Sequence, residues 1–278
     1  MLKTRIITAV LLFSAFFSAL FFLPPLGWVA FVTVVAAVAA WEWGALMGLG
    51  GSARIVLGVA VVFICVALTA LVPAALGLEA GFSEAAWRFG RWLYFPAAAF
   101  WVLCVPLWMQ RRWLLPKSII GVAVGLLLIL PTWLALVQLK QAGGLSLIAI
   151  MATVWLADIA AYFFGRTFGR HKLAPSISPG KTWEGALGGG LAVIVYGFIL
   201  APKLPVALAG NYALLMIVLI LLTAISVIGD LFESLLKRQA GLKDSSRILP
   251  GHGGVLDRID SLTSTLPLVA LVWLTSMH

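Results

Sequence analysis

The sequence predicts an all-α integral membrane protein, a polytopic helical bundle of about nine transmembrane helices. Hydrophobic residues make up 63% of the 278 residues and charged residues only 10%, whereas an ordinary soluble domain has about 25% charged residues. The mean hydropathy is +1.10, and the apolar residues form runs of about 20, the length at which a helix crosses a bilayer. The same composition excludes a disordered chain and, with only two cysteines, a disulfide scaffold.

The apolar runs predict the individual spans. The first run follows Lys3 and Arg5 and resembles a signal peptide. We interpret it as a retained helix because it exceeds a signal-peptide core of about 7–15 residues. A second run also follows directly after Pro24 and Pro25. The predicted spans are residues 6–23, 26–48, 54–75, 92–108, 118–138, 144–164, 183–201, 211–229 and 258–276.

The charges predict the orientation. The chain has 19 Lys and Arg against 10 Asp and Glu, a net charge of +9. With a cytoplasmic N-terminus, every basic residue falls in a cytoplasmic segment except Arg88, Arg91, Lys140 and Lys203. This asymmetry follows the positive-inside rule, so we expect a multi-pass protein of the cell (inner) membrane. The basic excess then reflects topology and anionic lipids, and we expect no nucleic acid partner.

No internal repeat is visible, so we treat residues 1–278 as a single integral-membrane domain. Residues 1–143 are predicted to be the N-terminal spans and a scaffold. Residues 144–278 are predicted to form the C-terminal spans and two cytoplasmic loops that carry the site. In the first part, Glu42 lies near the inner end of the second span. We interpret it as an interfacial residue, with a place in the lining of the site as the alternative.

The acidic residues are concentrated in the C-terminal part. Ionisable groups in spans are costly and therefore mark functional sites. Two of the three histidines, His171 and His252, lie in the same part, and His171 has no assigned role. All these groups map to the inner ends of the last four spans or to the loops between them, which predicts an active site on the cytoplasmic side. Seven of the ten acids are found there: Asp158, Glu184, Asp230, Glu233, Asp244, Asp257 and Asp260.

Helical periodicity places the polar residues of the last two spans on one face each. Ion pairs between residues four apart on a solvated helix end would explain part of the polar face of the eighth span. They would not explain the polar face of the ninth span, which continues into the bilayer. The first face comprises Ser226, Asp230, Glu233, Ser234, Lys237 and Arg238, and the second comprises Asp257, Asp260, Ser261 and Ser264.

The two polar loops have features of anion sites. In 241–256, glycines around His252 let the backbone approach a ligand and present amides to an anion. In 165–183, Lys181 and Thr182 directly precede a span, and a helix N-terminus beside a lysine suits a phosphate. The glycines that follow, Gly185, Gly188, Gly189 and Gly190, are predicted to allow close helix packing.

Acids, basic residues and helix N-termini together describe a phosphate site with a divalent metal. Mg²⁺ takes one or two carboxylates together with phosphate oxygens. Zinc is disfavoured because neither cysteine lies near a histidine in the sequence.

Two segments resemble a known family. The segment Ser234-Leu-Leu-Lys237-Arg238-x4-Lys243-Asp244-x5-Pro250-Gly-His252-Gly-Gly-x2-Asp257-Arg258-x-Asp260 resembles the signature of the phosphatidate cytidylyltransferases, or CDP-diacylglycerol synthases. The segment Ser178-Pro-Gly-Lys181-Thr182-Trp-Glu184-Gly185 resembles a second family segment. The resemblance covers the C-terminal part of the chain, and the N-terminal spans are compatible with it.

The resemblance implies that CTP and phosphatidate react to CDP-diacylglycerol and pyrophosphate, with Mg²⁺ as cofactor. The implied partners are CTP, phosphatidate and the bilayer, and a homodimer is compatible with them. On this basis we assign the catalytic role to Asp257, Asp230, Lys237 and Arg258 and the metal to Asp230, Asp257, Asp260 and Asp158. We assign substrate binding to Ser178, Lys181, Thr182, Ser234, Arg238, Lys243, Asp244, His252, Gly253 and Gly254.

Two other classes are weighed against this function. A secondary transporter of an anionic substrate is the alternative, but it would place its charges near the midplane and show repeat symmetry, and neither is visible. A CDP-alcohol phosphotransferase would carry a DxxDGxxAR pattern, which the sequence lacks.

Overall fold

The computed structural model describes residues 2–79 and 82–276, and helices dominate this part of the chain. The first half contains α1 (Leu2–Phe22), α2 (Pro25–Leu46), α3 (Gly51–Leu71), α4 (Glu84–Trp87), α5 (Arg91–Ala99), α6 (Val105–Arg111) and α7 (Ile119–Gln141). The second half contains α8 (Gly144–Phe168), α9 (Trp183–Leu200), α10 (Val206–Ala209), α11 (Tyr212–Gln239) and α12 (Leu256–Thr275).

The described residues contain eight helical segments long and apolar enough to cross a membrane. One of them, Glu84–Arg111, joins α4, α5 and α6 through a short 3₁₀ turn and a π-helical turn at Phe100–Cys104. The helix α12 occupies the position of the ninth predicted span, but three of its first five residues are charged and it is not among the eight. Large apolar side chains such as Phe22, Leu71 and Ile119 are 77–84% exposed, as expected for surfaces that face lipid. The prediction of a polytopic all-α membrane protein is confirmed.

Local sequence signals explain where several helices begin. Pro25 is the first residue of α2, where its missing N–H costs no hydrogen bond. The Thr182 hydroxyl caps α9 by accepting from the Gly185 N–H at 3.1 Å. The Asn211 side chain caps α11 in the same way.

One continuous core joins both halves of the chain. It extends from Ala19 in α1 to Leu274 in α12. Buried tryptophans in it donate their indole N–H across helices. Trp101 of α5–α6 donates to the Thr263 carbonyl of α12 at 3.1 Å, which satisfies a polar group that would be costly to bury alone.

The helices α8 and α9 approach each other closely through glycines. A Cβ on Gly185 would lie 2.7 Å from the Ala161 carbonyl oxygen, and one on Gly189 would lie 2.8 Å from that of Ala157. The prediction that these glycines allow close packing is confirmed at both positions. A Cβ on Gly190, by contrast, would meet only an ordinary contact, with Thr223 at 3.7 Å.

A small antiparallel hairpin follows α8, where the sequence predicted only a loop. Its strands are β1 (Lys172–Ala174) and β2 (Ser178–Thr182). Strands this short show no side-chain alternation, so the pattern could not reveal them. At the turn of the hairpin, the Ser176 hydroxyl lies 2.8 Å from the guanidinium of Arg112, which donates to it. The hairpin therefore folds back onto the bundle.

The hairpin, the loop 240–255 and the start of α1 lie at one end of the bundle, which we term the hairpin end. The strand β2 touches the second half of α11 through an ion pair between Lys181 and Asp230. A Cβ on Gly251 in the loop would lie 2.8 Å from Cγ of Arg5 in α1. The start of α1 and the two polar loops thus share one end of the bundle.

Candidate active site

The polar faces of α11 and α12 lie against each other. The Ser261 hydroxyl of α12 donates to the Ser226 carbonyl of α11 at 3.3 Å, and the Ser264 hydroxyl donates to the Ile225 carbonyl at 3.0 Å. Gly229 lacks a side chain where Ser264 approaches. The two predicted polar faces are therefore brought together along one helix–helix contact.

Lys237 forms the centre of the buried part of this contact. Its ammonium lies 2.6 Å from Asp257 and 3.3 Å from Glu233. Its side chain is 13% exposed, that of Glu233 6% and that of Asp257 3%. Neither oxygen of Glu233 accepts a hydrogen bond within the described residues. Glu233 was not among the assigned site residues, although it lies on the predicted polar face of α11.

Asp257 uses its second oxygen to hold the loop that precedes it. Its Oδ2 accepts from the Ser245 N–H at 2.8 Å, from the Ser245 hydroxyl at 2.9 Å and from the Gly254 N–H at 2.8 Å. Its Oδ1 receives Lys237. Both oxygens of this predicted metal ligand thus already contact protein donors.

Lys181 joins the hairpin to α11. Its ammonium lies 2.6 Å from Asp230 Oδ2, and both side chains remain 25–30% exposed. The Ser234 hydroxyl donates to Asp230 Oδ1 at 3.3 Å. The structure therefore brings together the two segments that the sequence marked separately, with the capped start of α9 beside them.

Asp158 and Asp260 complete a group of acids around Asp230. The charge of Asp158 interacts with those of Asp230, Lys181 and Arg258, and that of Asp260 interacts with Asp230 and Asp158. Residues of α8, α11 and α12 thus bring three carboxylates near two cations, Lys181 and Arg258.

The carboxylates of Asp158, Asp230 and Asp260 are suitable ligands for Mg²⁺ that binds together with a phosphate compound. Within residues 2–79 and 82–276, no cluster of three or more His, Cys, Asp or Glu has the arrangement of a preformed metal site. Mg²⁺ does not need one, since it typically binds one or two carboxylates, phosphate oxygens and water. No hydrogen bond or ion pair engages Asp158 in the described part of the chain, so its oxygens are open to such an ion.

The loop 240–255 depends on two glycines with positive φ. Gly251 has φ 78° and Gly253 has φ 84°, a region that other residues rarely adopt. A hydrogen bond from the Leu249 N–H to the Gly253 carbonyl at 2.9 Å closes the turn around His252. The His252 Nδ1 atom is buried and has no hydrogen-bond partner among the described residues.

The remaining assigned residues surround this turn and the hairpin. Arg238, Lys243, Asp244 and Arg258 are exposed, and Ser178 is half-buried at the start of β2. His171, left unassigned, contacts Glu184, with Nδ1 and Oε1 2.7 Å apart. This contact fastens the hairpin to α9.

The interpretation of Glu42 as an interfacial residue is wrong. Glu42 is 0% exposed and accepts hydrogen bonds from the loop and from the start of α12. The sequence could not show this because it depends on tertiary packing. The helix α2 lies beside the loop, so the carboxylate of Glu42 contacts backbone amides and does not reach the membrane interface. An acid within the apolar segment Trp41-Glu42-Trp43 was the one signal for a buried role.

Comparison with known proteins identifies the family of the chain. The family model described as "Cytidylyltransferase family" matches residues 3–276, so the chain belongs to the cytidylyltransferase family. A phosphatidate cytidylyltransferase of Pseudomonas aeruginosa is 41% identical over 98% of this chain and 97% of the relative. That of Haemophilus influenzae is 34% identical over 96% of each chain, and that of Brucella suis is 50% identical over 46% of this chain and 47% of the relative.

Proposed function

We propose that the chain transfers the cytidylyl group of CTP to phosphatidate and forms CDP-diacylglycerol and pyrophosphate. The relatives carry the name of this activity. The observation that carries the proposal is the contact of Lys181 with Asp230, because Asp230 also accepts a hydrogen bond from Ser234 and so links one family segment to the start of the other. The names of these relatives do not support the alternative, a secondary transporter of an anionic substrate.

The reaction needs positioning and charge neutralisation more than acid–base chemistry. An oxygen of the phosphatidate phosphate attacks the α-phosphorus of CTP in line and forms the new P–O bond. The bond between the α-phosphorus and the bridging oxygen breaks, and pyrophosphate leaves with the electron pair. A phosphate monoester is already ionised, so no strong general base is required.

The chain's cations bind the phosphates in this proposal. Lys181, Arg238, Lys243 and Arg258 bind the triphosphate or the lipid phosphate. Lys237, held by Asp257 at 2.6 Å, stabilises the charge that develops during transfer. The glycine turn around His252 shapes the nucleotide site.

Asp230, Asp158 and Asp260 would hold Mg²⁺, which would neutralise charge on the triphosphate when bound. Asp257 was assigned to the metal as well, and we propose that its first task is to hold Lys237 and the loop.

The site lies where a soluble nucleotide and a lipid headgroup can meet. We infer that the hairpin end faces the cytoplasm of a bacterial cell and that the protein resides in the inner membrane. The relatives are bacterial, and the N-terminus shares this end with both basic loops.

The test is to incubate purified protein in nanodiscs with labelled CTP, phosphatidate and Mg²⁺ and then to extract the lipids. We expect label in the organic phase, dependent on both phosphatidate and Mg²⁺. Asp257→Asn should lower this activity by about 100-fold or more, since it removes a charged partner at a buried site. Vesicle uptake of an anion without lipid labelling would support the transporter instead, and wild-type activity of Asp257→Asn would contradict its catalytic role.

A further inference from the structure

Glu42 makes an unusual set of contacts for a residue of the N-terminal part. Its Oε1 accepts from the Ser246 hydroxyl at 2.6 Å and from the Val255 N–H at 3.0 Å. Its Oε2 accepts from the Leu256 N–H at 2.6 Å and from the Ser245 hydroxyl at 3.2 Å. One side chain of α2 thus binds both ends of the loop 245–256.

These hydrogen bonds stabilise the buried carboxylate of Glu42 without the help of a cation. Glu42 is 0% exposed, and within the described residues no ion pair reaches it. The Ser246 hydroxyl and the Val255 and Leu256 amides donate to Glu42 alone, and the Ser245 hydroxyl is shared with Asp257. Together with the N-terminus of α12 they compensate the loss of hydration, since free amides at a helix start favour an anion. A carboxylate is the side chain that offers four acceptor sites in this space.

Glu42 and Asp257 divide the same set of donors between them. Asp257 takes the Gly254 N–H, and Glu42 takes the next two amides, of Val255 and Leu256. The Ser245 hydroxyl lies within hydrogen-bond distance of both carboxylates. A Cβ on Gly254 would collide with Ser245 and Glu42, so this glycine permits the arrangement.

We propose that Glu42 is a positioning residue for the active site. By fixing the loop and the first turn of α12, it leaves Asp257 Oδ1 directed at Lys237. The inference rests on the proposed function, in which Asp257 and Lys237 take part in the transfer. It also assigns an active-site task to the part of the chain that was predicted to be only a scaffold.

The first test is Glu42→Gln, which keeps the size of the side chain but replaces one acceptor with an NH₂ group that opposes a backbone amide. We expect kcat to fall roughly 30- to 100-fold while the KM for CTP changes less than about threefold, as for the loss of a buried charged hydrogen-bond acceptor. Glu42→Asp keeps the charge and should recover part of kcat.

The matched control is Gln138→Leu. Gln138 is also 0% exposed and also bonded to several partners, the Tyr94 hydroxyl and the Ala75 and Trp87 carbonyls. It lies in the later part of α7, away from the loop. We expect Gln138→Leu to lower thermal stability but to keep kcat within about threefold, since a neutral polar group is replaced far from the site.

Hydrogen exchange supplies a readout that does not need activity. In Glu42→Gln, amides of 245–256 should exchange at least about tenfold faster while those of α7 stay unchanged, as for local opening. Wild-type kcat, or faster exchange spread evenly over the molecule, would overturn the proposal. Where Glu42→Gln does not fold, Ser246→Ala removes the 2.6 Å donor and should give the same local pattern. If the wild type forms no CDP-lipid, the proposed function fails, and the exchange data still decide whether Glu42 holds the loop.

Discussion

At the scale of single residues, the carboxylates of the site fall into two groups. Glu42 and Asp257 are saturated by hydroxyl, amide and ammonium donors from the protein. The others have fewer protein donors: Asp230 contacts Lys181 and Ser234, Asp260 accepts from the Ser261 N–H at 2.7 Å, and Asp158 interacts through its charge. The first group builds the site, and we propose that the second binds the metal and the phosphates.

Lys181 should contribute mainly to nucleotide binding, because its contact with Asp230 is 25–30% exposed and open to a ligand. We expect Lys181→Ala to raise the KM for CTP about tenfold with a smaller effect on kcat, as for the loss of one charge-assisted contact. Steady-state kinetics with varied CTP measure this. Lys203→Ala, at the far end of α9, is the control and should behave like the wild type. An unchanged KM for CTP in Lys181→Ala would contradict the assignment.

At the scale of elements, the position of the hairpin depends on the packing of α8 against α9. These two helices flank the hairpin, and their glycines set the distance between them. His171 and the capped start of α9 then fix β2, so that Lys181 reaches α11.

Gly189→Ala should therefore destabilise the protein. Its Cβ would lie 2.8 Å from a backbone oxygen of α8, so the helices would have to separate, at about 1–3 kcal/mol for overpacking. Thermal unfolding in detergent, followed by tryptophan fluorescence, should show a lower midpoint. Gly190→Ala is the control, since its Cβ would meet ordinary contact distances, and its midpoint should be equal or slightly higher. Equal midpoints for the two variants would contradict this packing.

At the scale of the whole molecule, one core joins the first and last helices, and the N-terminus lies at the same end as the site. The interior is therefore not divided between the two halves of the chain.

The proposed orientation can be tested with single cysteines in a Cys65→Ala, Cys104→Ala background. We expect an impermeant maleimide to label Lys3→Cys and Ser176→Cys in inverted vesicles only, and Lys203→Cys in spheroplasts only. The reason is that the first two positions share the hairpin end, whereas Lys203 follows α9 at the other end. Labelling of Ser176→Cys in spheroplasts would contradict a cytoplasmic site.

Much of the site was predictable because its signals are local. The residues of α11 and α12 follow helical periodicity, and the contact of Lys237 with Glu233 is a pair four residues apart. The hairpin could not be predicted, because strands of three and five residues carry too little pattern. Glu42 could not be assigned either, since its partners lie more than 200 residues away in sequence.

The sequence by itself determined the membrane-spanning class, the approximate spans and the two segments that resemble the family. Apolar runs and clustered charges are properties of neighbouring residues, so no knowledge of packing is needed to read them. Only the tertiary structure decided which acids face cations and which hold the backbone. In the structure Lys181 pairs with Asp230, and Glu42 accepts from the first amide of α12. Such contacts depend on how distant helices pack and not on the order of residues along one helix.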